Sequence, residues 1–593
     1  MLDPRIYRTG LVLVGLAVIV LGFSLVGQQG PLGATLAPDA FNGGTAYSTM
    51  QRLAAQYPYR RPGSDGDDAL ASAVAGSFRH AGLTVSTDVF NARTVVGTRT
   101  LETVTGTLAG STGASIVIVA HRDALGSPAT ADLSGTATLI ELAQVLSGET
   151  QRRSVMLVST SGSVGAAGSM QLARTVSGPV DAVIVLGDLA GSETRYPIAV
   201  PWSGGQQVAP PTLRNTVAAA LASQASLPPG GTSFAGQFAH LALPMTVGEQ
   251  GPFGVYGYPA VLLSLAGERG PAPDEPVQGP AQITALGRTV LSTISALESG
   301  NTVPAPSAYL LFSGMVVPEW AVRVFVLALI LPVLMATVDA VARVRRRGHP
   351  IVRWLIWVLA GALPFVLAVL LVETLMLTGL IKVAPPGPVL AGTVPLHAAG
   401  IAILVGLLVL LALAFIVLRP VLIGLVGGEP KDGRRSGQPC NPGGGAAVLL
   451  VLCAVAIAIW VANPFAAALL VPALHLWMWI VNPELRPRPA VLLTFVLLGL
   501  APPVLVVLYY AVTFGLTPVQ AAWGGVLLLA GGHFALVTAL EWSVVLGCVA
   551  SVIVLATQQA RARGPEQAAV TVRGPITYAG PGSLGGTESA LRR

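Results

Sequence analysis

The sequence predicts two unlike parts in one chain. One is an α/β domain whose mostly parallel sheet is sandwiched by helices, and the other is an all-α bundle of membrane spans. Of 593 residues, 53% are hydrophobic and 10% are charged, with a mean hydropathy of +0.69. Soluble domains carry roughly 25% charged residues. Apolar runs of about 20 residues, enough to cross a ~30 Å hydrocarbon core, stand near the N-terminus and repeatedly after residue 316. Between them, residues 28–307 alternate short apolar strands with helices, the pattern of a parallel sheet covered on both faces.

The first apolar run covers 11–26. No small-x-small cleavage site follows within 27–33, so it reads as an uncleaved anchor. Arg5 and Arg8 precede it, and basic residues favour the cytoplasmic side. The N-terminus is therefore expected inside and residues 28–307 outside. A turn-rich loop at 57–64 leads to a helix over 67–81, ended by Gly82. Residues 83–90 and 101–108 alternate as strands. Residues 116–120 form a buried strand that delivers His121 and Asp123. Ser134 and Gly135 open a helix over 136–146. A second buried strand, 155–159, ends in a glycine-rich turn, and a third, 180–186, ends near Asp188. A helix at 214–224, a strand at 258–264 and a closing helix at 282–297 complete the domain. Ligands of open α/β sheets sit beyond the carboxyl ends of the strands, so His121, Asp123 and Asp188 point at one candidate site.

Further spans are expected at 319–341, 354–377, 397–417, 446–461, 465–480 and 490–514. Arg343, Arg345, Arg346 and Arg347, then Arg419, then Lys431, Arg434 and Arg435 in the loop 427–445, then Arg486 and Arg488 all fall on one side. The last stretch, 521–556, admits two spans with Arg561 and Arg563 outside. It also admits one span plus a re-entrant or surface segment, with both arginines inside. The expected division is 1–27 anchor, 28–307 extracytoplasmic domain, 308–557 bundle of seven to eight spans, and 558–593 polar disordered tail.

Residues 28–307 hold 14 Arg, no Lys and 18 Asp or Glu, a net charge of −4 against +6 for the chain. The remainder, at +10, carries the basic balance beside the spans. That argues for a membrane protein and against a nucleic-acid partner. Cys440, Cys453 and Cys548 lie outside the domain, which leaves it no disulfide or zinc-thiolate framework. His80 and His240 are isolated and read as structural. His475 and His533 lie near mid-span, with Glu373 and Glu541 nearer the span ends. Intramembrane ionisable groups are functional candidates by default, and interhelical hydrogen bonding is the alternative. No inverted repeat is visible across the spans.

The domain resembles metallopeptidase family 28, the co-catalytic zinc aminopeptidases, over about 47–297. The matching pieces occur in family order: Arg61-Pro-Gly-Ser64 with the following helix, His121-Arg-Asp123, Ser134-Gly135 before an apolar helix, Gly187-Asp188-Leu189, and 248–253 (GEQGPF) followed by 257–260 (GYPA). The resemblance implies two zinc ions that activate a water and a glutamate that takes its proton. His121 and Asp188 match first-metal ligands. The bridging carboxylate position falls on Ala131, with Asp132 one residue late. The general base and second-metal ligand positions fall on Gly162 and Ser163, and the last histidine position on Gln250. Glu249 lies on another segment from the missing base. A Gly-x-Ser-x-Gly elbow is not formed around Ser163.

The resemblance therefore implies the fold with its catalytic centre lost and no catalytic residue remaining. Asp123, Ser163, Glu249 and Gln250 are then cleft positions for a peptide or lipid headgroup. No cofactor is expected, although a residual one-metal site would place zinc on His121, Asp132 and Asp188. The overall layout resembles that of the GPI-transamidase attachment subunit. Three readings follow: an inactive homologue that binds a substrate or scaffolds a membrane-protein complex, a divergent one-metal aminopeptidase, or a transporter or lipid-handling protein with an accessory domain. Membrane lipids are expected partners in all three.

Overall fold

The computed structural model describes the chain except residues 1–3, 35–37, 232, 349–350, 382–384, 426–441, 483–487 and 562–593. The expected tail beyond 561, Arg563, Cys440, Lys431, Arg434, Arg435 and Arg486 lie outside the described residues.

Helix α1 (Pro4–Phe23) leads into β1 (Val26–Gly27). The α/β domain then opens with α2 (Gly43–Gln56), capped by the Asn42 side chain, which accepts from the Gly44 and Thr45 amides. Helix α3 (Asp65–His80) is capped by Ser64. It carries Asp65, Asp67 and Asp68 in its first turn and Arg79 and His80 in its last, the polarity that suits the helix dipole. The hairpin β2 (Thr84–Thr94) and β3 (Gly97–Leu108) follows. Next come β4 (Ser115–His121), α4 (Ser134–Leu146), β5 (Ser154–Thr160), α5 (Ala167–Thr175) and β6 (Val180–Leu186). The domain continues through β7 (Ala199–Val200), α6 (Pro211–Ala225), α7 (Phe234–Ala242), α8 (Gly251–Val255), β8 (Ala260–Leu263) and α9 (Pro280–Ser299).

The seven strands are ordered β2-β3-β5-β4-β6-β8-β7. The central four, β5-β4-β6-β8, are parallel, and both flanks are antiparallel. The period of two sorts the residues of β4. Ile116, Ile118 and Ala120 join a core with α2, α3, α4 and α9. Val117 and Val119 join a second core that runs through Trp202, Phe253 and Val322 into the bundle. The domain is thus packed on the membrane helices through one face of its sheet.

β9 (Tyr309–Phe312) and β10 (Met315–Pro318) form a small antiparallel sheet with β1. It ties the end of α1 to the start of α10 (Glu319–Arg346). Helices α11 (Ile351–Leu377) and α12 (Ala398–Leu413) follow, the latter continuing through a π-turn at Ala414–Leu418 into α13 (Arg419–Leu425). Then come α14 (Pro442–Ala462), α15 (Pro464–Ala468), α16 (Val471–Ile480), α17 (Pro489–Phe514), α18 (Pro518–Ala530) and α19 (Leu536–Arg561). Among the described residues seven helices, α1 included, are long and apolar enough to cross a membrane, the mark of a multi-pass membrane protein.

One difference from the sequence reading concerns the spans, and one alternative left open there is narrowed. The stretch expected as one span at 465–480 is broken between α15 and α16, because Pro472 has no amide to bond the carbonyl four residues back. The stretch 521–556 resolves into the short α18 and one long helix, α19. Near the start of α14, a Cβ on Gly444 would stand 3.0 Å from the Trp354 ring of α11 and 3.5 Å from Leu555 of α19. Val344, Ile351 and Ala446 form one cluster there. The end of α19 therefore lies with the Arg343–Arg346 end of α10, as the one-span alternative requires.

Helices α11 and α19 meet through small residues, as membrane helices often do. A Cβ on Gly547 would stand 2.5 Å from the Ala362 nitrogen. Gly547→Leu is expected to cost about 1–3 kcal/mol by overpacking, read as a lower unfolding temperature in detergent. Gly525→Leu on α18, where a Cβ meets nothing within 4 Å, is the control expected to unfold with the wild type.

Inside the bundle His475 is a structural link. Its Nδ1 lies 2.8 Å from the Tyr7 hydroxyl and its Nε2 2.9 Å from the Leu329 carbonyl, joining α16, α1 and α10.

Candidate functional site

The carboxyl ends of β4, β5, β6 and β8 open on a cavity of about 520 Å³, a size that suits a small ligand. His121, Asp132, Ser163, Asp188, Glu249 and Glu268 line it, together with Pro388–Leu390, Gly392 and Thr393 from the loop between α11 and α12. One wall therefore belongs to the bundle. That loop is held to the domain where the Gly387 amide donates to the Gly165 carbonyl at 2.7 Å. A Cβ on Gly165, whose φ is +84°, would collide with Pro385.

Two buried arginines frame the cavity. Arg60 is fully buried and donates to the carbonyls of Arg122, Tyr57, Pro128 and Ala129. It thereby fixes the loop that leads to Asp132. The sequence motif pointed at Arg61, which is exposed. Arg122, next to His121, is also fully buried and pairs with Asp67 at 2.8 Å. It further donates to the carbonyls of Ser159 and Glu102.

His121 does not face an open ligand position on both nitrogens. Its Nδ1 lies 2.8 Å from Glu249 Oε2. The other Glu249 oxygen accepts from Thr160 Oγ1 at 3.0 Å and Ser169 Oγ at 2.9 Å. Burial alone would lower the His121 pKa. The hydrogen bond and charge of Glu249, with Asp132 and Asp123 behind, overcome this and raise it to about 9. Burial raises the Glu249 carboxyl, but its bond to His121 and the two hydroxyls outweigh that and lower it. At neutral pH the two form a buried ion pair. The sequence placed Glu249 away from the missing base; the fold sets it on the histidine instead.

The remaining acids divide between cavity and scaffold. Asp123 accepts from the Ser163 amide at 3.1 Å and from its hydroxyl at 3.1 Å, so it shapes the 162–165 turn and does not line the cavity. Burial raises its pKa to about 7, against the pull of His121. Asp188 accepts from the Ala190 and Gly191 amides through Oδ1, at 2.9 and 2.7 Å. Its Oδ2 is buried with no hydrogen-bond partner. Burial raises it to about 7, partly offset by those amides. Asp132 is raised to about 6 by burial, with His121 and Arg60 pulling it back. Glu268 accepts from Thr246 Oγ1 at 3.0 Å and is raised to about 7 by burial.

Gln250 is turned out of the cavity. It is fully buried, and its Nε2 donates to the Trp202 carbonyl and to Thr246 Oγ1, which binds it into the packing before α8. His240 is structural as well. It stacks on Trp202 at 4.5 Å and meets the edges of Tyr509 and Tyr510 from α17, while burial lowers its pKa to about 4.

Zinc needs a neutral imidazole and several donors converging on one point. His121 bonds Glu249 through Nδ1 alone, which a metal-bound histidine could also do, but among the described residues no three His, Cys, Asp or Glu side chains group to hold an ion. The residues as arranged do not fit a zinc centre. Ser163 Oγ bonds Asp123 rather than a histidine.

Glu268, Arg60 and the hydroxyls of Thr160 and Ser169 were not signalled by the sequence. A glutamate within Ala-Gly-Glu-Arg and hydroxyls at strand and helix ends have no spacing that marks them before the fold brings them together.

No family model matches the chain, and no curated protein matches it. Among solved structures, a leucine aminopeptidase precursor from Bacteroides thetaiotaomicron is similar at 14% identity, covering 43% of this chain and 97% of that one, with a TM-score of 0.36. A glutaminyl cyclase from an Acidobacteriales bacterium shares 18% identity over 46% of this chain and 99% of its own, with a TM-score of 0.35. A zinc aminopeptidase from Bacillus subtilis shares 12% identity over 45% of this chain and 98% of its own, with a TM-score of 0.35.

Proposed function

We propose that this protein is a membrane-embedded homologue of zinc peptidases that has lost the hydrolytic centre and binds a ligand in the cavity above the bundle. The ion pair between His121 and Glu249 carries this reading. It commits Nδ1 of the histidine that the family motif assigns to metal, no ligand group forms around that histidine among the described residues, and Glu249 is left ionised, bonded on both oxygens and unsuited to general-base work. Gly162 and Ser163 stand where the motif expects acids, and Gln250 is packed away where it expects a histidine. The basic ends of α10 and α19 support placing that end of the bundle in the cytoplasm and the domain outside.

The full-length protein in detergent, supplied with zinc, is expected to release no product from aminoacyl-anilide or peptide substrates beyond a His121→Ala variant. Zinc-dependent turnover that vanishes in His121→Ala would replace this reading with a one-metal hydrolase built on Asp132 and Asp188.

A further inference from the structure

The cavity mixes apolar side chains with acids. Its lining includes Leu125, Val164, Val247, Leu262, Val389 and Leu390, and four acids, Asp132, Asp188, Glu249 and Glu268. The two cations that line it are committed elsewhere. His121 is paired with Glu249, and the Arg269 guanidinium is turned onto the Val512 and Thr513 carbonyls at the end of α17. Asp132, Asp188 and Glu268 have no ion pair among the described residues. Arg60 lies behind Asp132, but its N–H groups go to backbone carbonyls. Asp188 is 1% exposed, and its Oδ2 has no hydrogen-bond partner. That oxygen lies beside Gly191 and Glu275, so Asp188 acts on the cavity through its charge, which a cationic group there would offset.

The apolar side leads to the membrane. The loop that walls the cavity is seated on the bundle: Ala391 packs with Ile381, Trp523 and Leu527, and Trp523 Nε1 donates to the Val394 carbonyl at 3.2 Å. Beside this seat Leu380 is 69% exposed. Val512, whose carbonyl receives Arg269, is 70% exposed. Arg269 thus links the cavity lining to an exposed apolar side chain at the end of α17.

From this we infer that the ligand is an amphiphile of the leaflet facing the α/β domain, with a cationic ammonium head held by Asp188 and Glu268 and tails left beside α11 and α17. The inference rests on the cavity being a binding site, as proposed above, and adds what it binds.

The test uses the full-length protein in detergent and native mass spectrometry with added phosphatidylethanolamine or phosphatidylglycerol. The ethanolamine lipid is expected to be retained about tenfold more than the glycerol lipid, the size of one charge-assisted hydrogen bond. Glu268→Gln should erase that preference. Gly392→Trp, at a lining position where a Cβ meets nothing within 4 Å, should block retention without disturbing the fold. Gly525→Trp, on the bundle away from the cavity lining, should leave it unchanged. Equal retention of both lipids overturns the inference, as does a preference that survives both Glu268→Gln and Gly392→Trp. Displacement by free phosphoethanolamine or by a soluble dialanine peptide at the same concentration as the lipid also overturns it, while leaving the cavity a binding site. Zinc-dependent hydrolysis would instead overturn the proposed function itself.

Discussion

Replacing Glu249 by alanine is expected to cost about 3–5 kcal/mol, the range for breaking a buried ion pair by removing one partner. The pKa of His121 leads to a similar figure. A rise from 6.5 to about 9, at 1.36 kcal/mol per unit, amounts to about 3 kcal/mol. The sign sets the pH window. The folded pKa of His121 is raised, so its contribution is fully present below about 6.5 and is lost as pH rises through about 9. That of Glu249 is lowered, so its contribution is present above the ordinary carboxylate range and is lost as pH falls through the lowered value. The gap between wild type and Glu249→Ala should therefore be widest between about pH 5 and 6.5, shrink as pH rises further and be small above pH 9. The double variant His121→Phe with Glu249→Leu should lose much less than the two single losses added, since neither charge is then stranded. Chemical unfolding in detergent from pH 5 to 10 measures this. A single-variant cost below about 1 kcal/mol, or a gap that does not change with pH, would remove the ion pair from the site.

Arg122→Met is the second large effect. Arg122 and Asp67 are both fully buried, with Arg122 Nε 2.8 Å from Asp67 Oδ1. The same guanidinium serves the Ser159 carbonyl at 3.1 Å and the Glu102 carbonyl at 2.7 Å. Asp67 in turn accepts from the Gly63 amide and the Ser161 hydroxyl. One side chain thus joins α3, β3, β5 and the exit of β4, directly beneath His121. Methionine fills much of the volume but leaves Asp67 charged and unpaired, at about 3–5 kcal/mol. Arg122→Lys should recover only part of this, because an ammonium cannot reach three partners in the fixed directions of the guanidinium. Full stability in Arg122→Met would contradict the role.

The sequence made the parallel core legible because both faces are covered. A strand such as 116–120 is apolar at every position, and 180–186 nearly so. Helix α2 escaped notice because it begins Gly43-Gly44-Thr45 and carries only a thin apolar stripe; it is stabilised by packing on α4 and α9 and by the Asn42 cap. The site was legible in its strand-end residues, His121 and Asp188, whose positions follow from where strands end. The pairing of His121 with Glu249 spans 128 residues and depends on a loop before α8 whose path no local pattern encodes. The same holds for the wall contributed by 388–393. An apolar loop between spans does not announce that a domain more than 100 residues upstream rests on it.

Zinc content of the purified full-length protein, measured by elemental analysis after zinc loading and buffer exchange, tests the loss of the hydrolytic centre most directly. The lack of a grouped ligand set among the described residues predicts no stoichiometric zinc, with wild type and His121→Ala equal. One or two zinc ions per chain, lost in His121→Ala, would contradict it and return the cavity to metal chemistry.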